Sequence, residues 1–149
     1  MRLAVAGVVL EFLDALTTFL IITLGLGYEA NPRISFVNEA PVLVFPIFLA
    51  QAAFLFGVGF LAHIEMRRGF MGAYYVTSLP VKGYLVHKAV VVANNVAVGA
   101  VGFQGLDYYV SEAVKMFMVM GGLAYGLFKA GKYFKSRYVV EPCSVKNLM

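Results

Sequence analysis

A chain of 149 residues that is 61% hydrophobic and only 13% charged departs far from a soluble domain, which is about half apolar and about one quarter charged. That balance excludes an ordinary water-soluble domain and predicts an integral membrane protein, counted in spans of roughly 20 apolar residues. The formal net charge of +4 is carried largely by the edges of the apolar stretches, so it calls for no nucleic-acid partner.

Four spans fit, as one all-α transmembrane bundle forming a single membrane domain: about Leu3 to Leu26, Pro41 to Ile64, Tyr84 to Phe103 and Val110 to Phe128. The last has a helical extension toward Phe134, and a basic tail follows over about 129–149. The first span has acids in its middle and no small-residue cleavage site, so it is expected to stay in the mature protein rather than act as a removable signal peptide.

Within that first span stand Glu11 and Asp14. An ionisable side chain costs about 2.5 to 3.5 kcal/mol at the centre of a membrane helix even on lenient scales, so it marks a pairing or functional position. Gly7, Glu11, Asp14, Thr18 and Gly25 recur at three- and four-residue steps, with Ile21 filling the gap, which predicts one packed face. Two carboxylates one turn apart and away from water cannot both be charged at ease unless a cation is near.

Counting about 1.5 Å per residue from each span end brings Asp14, Gln51, Asn94 and Asn95 to a common mid-depth. These groups, with Glu11 and Thr18, should turn away from lipid toward one another. Three readings stay open: an ion or proton site, a hydrogen-bonded lock between helices, and a solvated vestibule without a task.

At the end of the first span Pro32 pushes Asn31 out of the helical region. Glu29 and Asn31 form a second candidate site there, either binding a cation at the outer mouth or bracing the segment Ile34 to Val37. His63 and Glu65 near the inner end of the second span, with His87 at the start of the third, make a third constellation. Imidazoles at one depth with a carboxylate would suit a transition metal, and two facing histidines would suit a haem. Histidines bonded to headgroups or loop carbonyls are the plainer reading, and no cofactor is assigned from sequence.

Arg67, Arg68, Lys82 and Lys88 after the second span, and Lys129, Lys132, Lys135, Arg137 and Lys146 toward the C-terminus, place those edges in the cytoplasm by the positive-inside rule. Both termini are then cytoplasmic in a multi-pass protein of the cell membrane, in contact with the lipid bilayer. Small size and packing glycines such as Gly99, Gly102, Gly122 and Gly126 also suit a homo-oligomer or a non-catalytic subunit of a larger membrane complex. Gly25-Leu26-Gly27-Tyr28 is echoed by Gly105-Leu106-Asp107-Tyr108, and Val37-Asn38-Glu39-Ala40 by Val110-Ser111-Glu112-Ala113, a weak hint of two repeated hairpins. The single Cys143 excludes an internal disulfide and is an ordinary thiol or a lipidation site.

Asp14-x-x-Thr17-Thr18, Gly25 or Gly27, and Glu29-Ala30-Asn31-Pro32 together resemble the first-helix signature of a small family of bacterial and archaeal membrane proteins of unknown function. The family pattern reads N-x-x-D, a following T, then G-x-x-E-x-N-P, and it spans about 20 residues here. The chain departs from it with Glu11 at the asparagine and Gln51 near a second-helix lysine, for which Lys115 is the nearest counterpart. The resemblance implies that Asp14, Thr18, Glu29 and Asn31 belong to one site or fold device. For the chain as a whole, the residues favour an ion- or proton-coupled transport module, with a scaffold subunit and a metal or haem protein as alternatives.

Overall fold

The computed structural model describes residues 1–102 and 107–138, the last by its backbone alone. It contains α1 (Arg2–Thr23), short 3-10 turns at Ser35–Asn38 and Pro41–Leu43, α2 (Val44–Arg67), α3 (Met71–Val101) and α4 (Tyr108–Tyr138). All four helices are long and apolar enough to cross a membrane, and no strand occurs among the described residues. Leu106, Gly105, Cys143 and Lys146, on which the echo and the tail readings rest, lie outside the described residues.

Helix α1 buries Ala4, Gly7, Glu11, Asp14, Ala15, Thr18 and Ile21. The three- and four-residue rhythm therefore selects the inward face, as expected for side chains stacked on one side of a helix. Gly25 does not join that face. It sits at φ +67° beyond the helix end, where Gly25 N–H donates to Ile22 O and Leu26 N–H to Ile21 O. This pair of bonds closes α1 in a Schellman turn, a conformation glycine adopts without a Cβ penalty.

Register follows from which small residues meet. A Cβ on Gly59 would stand 2.7 Å from the Ala4 backbone nitrogen, and one on Gly7 would stand 3.1 Å from Leu55 Cβ, so α2 runs antiparallel to α1. Ala15, Val44 and Phe48 form one core cluster, flanked by Phe19 and Phe45. Leu55, Val81 and Leu85 form a second, joined by Leu3, Leu10 and Val58. Helix α3 runs parallel to α1, because Tyr84 reaches Glu11 and Asn95 reaches Thr17 and Thr18.

Helix α4 packs principally on α3. Its approach is set by glycines: an added Cβ on Gly122 would lie 2.6 Å from Leu79 O, on Gly126 2.6 Å from Tyr75 O, and on Gly83 of α3 closer still to Met118 O. Backbones this close gain dispersion contacts that larger residues would forbid. The outer surface of α4 stays apolar and uncovered by protein, with Phe117 81% exposed, as suits contact with lipid.

Helix α3 begins at Met71, some three turns earlier than hydropathy from Tyr84 predicts. Thr77, Ser78, Pro80 and Lys82 lower the apolar character of its first half, yet Pro80 is carried inside the helix. The longer helix has a consequence for charge. Lys88, expected at a basic edge, lies 7% exposed within the bundle, whereas Lys82 is exposed. Arg2, Arg67, Arg68 and the basic last turn of α4 share one end of the bundle, and the connection before α2 and the start of α4 share the other.

Candidate functional site

The seam between α1 and α3 holds the buried charges. Lys88 Nζ is 2.6 Å from Asp14 Oδ2 and 3.0 Å from Glu11 Oε2. All three residues are buried, Glu11 completely. The cation that two adjacent carboxylates require is therefore present, and it is supplied by the neighbouring helix. The ammonium also lies 4.7 Å from the centroid of the Phe48 ring and 5.9 Å from that of Tyr84, distances at which the ring quadrupole attracts a cation.

Neutral donors complete the cluster. Tyr84 Oη donates to Glu11 Oε1 at 3.0 Å, and Asn95 Nδ2 donates to Asp14 Oδ1 at 3.1 Å. The same amide stands 3.3 Å from the hydroxyls of Thr17 and Thr18. Burial of three charges is tolerable only when each has close partners, and here each has. Tyr84, Lys88 and Asn95 are spaced four and seven residues apart, so one face of α3 meets the acidic face of α1.

From this cluster a cleft of about 790 Å³ runs to the end of the bundle where α4 begins. Asp14, Thr18, Tyr84, Lys88 and Asn95 line its deeper part, with Gln51 and Asn94 also on its wall. Glu29, Asn31, Tyr108 and Glu112 line its other end. The mid-depth residues expected from the sequence are thereby brought to one space, and the Glu29 and Asn31 pair belongs to the same cleft. Glu11 lies behind the wall, reached through Lys88 and Tyr84.

Glu29 and Asn31 work as a brace. Glu29 N–H donates to Asn38 Oδ1 at 2.6 Å and Asn38 Nδ2 returns a bond to Glu29 O at 3.1 Å. Asn31 N–H donates to Glu29 Oε1 at 2.8 Å, and Arg33 N–H to Asn31 Oδ1 at 3.0 Å. These side chains satisfy a backbone that has no helix or sheet partner. Burial pushes the Glu29 carboxyl above its ordinary range, against the lowering effect of the Asn31 N–H. Asn38 is the member that sequence reasoning missed, since its role depends on the chain folding back over nine residues.

The histidine constellation does not assemble. His63 lines a separate cavity at the other end of the bundle with Met1, Arg2 and Leu3, whereas His87 adjoins the lysine that meets Glu11 and Asp14. Along α1 the two levels differ by about ten residues, or roughly 15 Å of rise. His87 Nε2 lies 3.0 Å from Ser111 Oγ on α4, and Glu65 accepts a bond from Thr77 Oγ1 at 3.2 Å. Among the described residues no group of three His, Cys, Asp or Glu side chains is placed to hold a metal ion. The reading of His63, Glu65 and His87 as a metal or paired haem site is corrected accordingly: α3 starts early, which carries His87 deep and turns it toward α4.

These features define the class: an all-α, multi-pass membrane protein with a buried Glu, Asp and Lys cluster at the inner part of a polar cleft. A scan against protein-family models finds no match, and neither a search of curated proteins nor a search of solved structures finds a similar chain.

Proposed function

We propose that the protein is a proton- or cation-coupled transport module of the cell membrane, with Glu11, Asp14 and Lys88 as its working group. The observation that carries this reading is one ammonium held between two carboxylates beside a polar cleft, inside helices of membrane-spanning length. Two carboxylates and one ammonium bear a net charge of −1 when all are ionised. Arrival of a proton or a monovalent cation neutralises the cluster and its departure restores the charge, which is the property an ion-coupled carrier needs.

By the positive-inside rule the basic end faces the cytoplasm with the N-terminus, and the cleft opens to the outside. In this reading the Asp14, Thr18, Glu29 and Asn31 signature, which resembles that of the small membrane family described above, marks the two ends of one path. Asp14 sits beside the cluster and Glu29 at the mouth.

Reconstitution into proteoliposomes with an internal pH-sensitive dye tests the proposal. Wild-type vesicles should carry protons down an imposed gradient, and Asp14→Asn should abolish at least nine-tenths of that flux. Unchanged flux in Asp14→Asn sinks the proposal. A second reading is favoured by the complete pairing of Asp14, whose two oxygens are both bonded: the cluster then serves only to lock α1 to α3. Loss of stability in Asp14→Asn, with no wild-type flux above that of protein-free vesicles, would establish the lock.

A further inference from the structure

The surroundings of Lys88 Nζ form a complete berth for an ammonium group. Two carboxylate oxygens lie at 2.6 and 3.0 Å, and the faces of Phe48 and Tyr84 stand within cation–π reach. Charged partners on one side and aromatic faces on another are how proteins recognise alkylammonium ions. The lysine reaches this berth as a tethered cation of that chemistry.

The cleft beyond it suits a free one. Its volume of about 790 Å³ lies in the range of small-molecule sites. Four carboxylates on its wall, Asp14, Glu29, Asp107 and Glu112, face two ammonium groups, Lys88 and Lys115, so the space is negative when all are ionised. Tyr28, Tyr108 and Tyr109 add aromatic surface near the mouth. His87, 5% exposed and on the cleft wall, bonds Ser111 through Nε2, and its Nδ1 is buried without a hydrogen-bond partner among the described residues.

We infer that the cleft binds a small organic ammonium ion, which displaces the Lys88 ammonium from the Asp14 carboxylate and the Phe48 face. This rests on reading the cluster as an exchangeable cation site and names the class of cation. The charge balances: with both carboxylates and Lys88 ionised the cluster bears −1, and R–NH3+ brings one positive charge to Asp14 while Lys88 keeps Glu11 as its partner. No covalent bond forms or breaks, and the cluster becomes neutral.

The test uses the full chain in lipid nanodiscs and isothermal titration calorimetry with 2-phenylethylammonium, against 2-phenylethanol as the neutral match. The expected result is ammonium binding at least tenfold tighter than alcohol binding. Asp14→Asn should weaken ammonium binding at least tenfold and Phe48→Leu at least threefold. Phe48→Leu keeps an apolar side chain, and it decides the matter if Asp14→Asn does not fold.

Equal affinity for ammonium and alcohol, no detectable ammonium binding, or undiminished binding in Phe48→Leu would overturn the inference. Proton flux that depends on Asp14, without ammonium binding, overturns it while leaving the coupling proposal standing. Ammonium binding without flux across vesicles supports the ammonium site and removes the transport role.

Discussion

Replacing Lys88 by methionine keeps the length and most of the volume of the side chain and deletes its charge. The change leaves the Glu11 and Asp14 carboxylates, at 0% and 5% side-chain exposure, facing each other without a cation. Removing one partner of a buried ion pair typically costs about 3–5 kcal/mol, because the remaining charge stays desolvated. Two carboxylates share this lysine, and Asn95 and Tyr84 still donate to them, which offsets part of the loss. A destabilisation of about 3–5 kcal/mol is therefore expected for Lys88→Met, read from denaturant titration in micelles. The triple variant Glu11→Gln, Asp14→Asn, Lys88→Met removes every charge and should recover at least half of that loss, since neutral amides can share the hydrogen bonds. Lys88→Met within about 0.5 kcal/mol of wild type, the scatter of a neutral surface change, would refute the account of the cluster.

Three other substitutions probe separate devices. Ser78 is fully buried and its hydroxyl has no partner among the described residues, so Ser78→Ala should raise stability by about 1 kcal/mol, measured in the same titration. Gly122→Ala would put a Cβ 2.6 Å from the Leu79 carbonyl oxygen, forcing the backbones of α3 and α4 apart at a cost of about 1–3 kcal/mol; unchanged stability would mean that α4 is not held at this distance. For Glu29, burial holds the folded pKa above the ordinary 4.5. The folded chain then binds the proton more tightly than the unfolded chain, so stability falls as pH rises from 4.5 through the raised value. Glu29→Gln keeps an oxygen for the Asn31 N–H and should flatten that dependence, checked by thermal midpoints across this pH range.

Much of the fold was legible because membrane helices must bury their polar groups. The spacing of Glu11, Asp14 and Thr18 gave their common face, and their cost in lipid gave the expectation of partners, which Asn95 meets directly and Gln51 and Asn94 meet by sharing the cleft. Lys88 was hidden by its neighbours. Hydropathy starts the third span at Tyr84, so a lysine four residues later counts as an edge charge. The spacing from Tyr84 through Lys88 to Asn95 was the available signal, since an edge lysine has no reason to share a face with a buried amide. The histidine depths failed for a related cause: register between helices is set by contacts such as Gly59 on Ala4 and Gly122 on Leu79, and no single helix contains that information.

The molecule uses two unlike ways of joining helices, and the division bears on how the cleft can work. Helices α3 and α4 meet mainly through glycines and bare carbonyls, a contact whose strength comes from dispersion over a close approach, with the His87–Ser111 bond added to it. Helices α1 and α3 meet through an ion cluster whose strength depends on who carries each proton. A change of charge at the cluster therefore acts first on the α1–α3 seam, and it meets α4 only through His87, which bonds Ser111, and across the cleft through Glu112 and Lys115. The cleft draws its walls from both, with Asp14 and Asn95 on one side and Ser111 and Glu112 on the other. A change of charge at the cluster can then alter the wall that carries Asp14 and Asn95 while α4 keeps its grip on α3. The proposed cation exchange needs that separation.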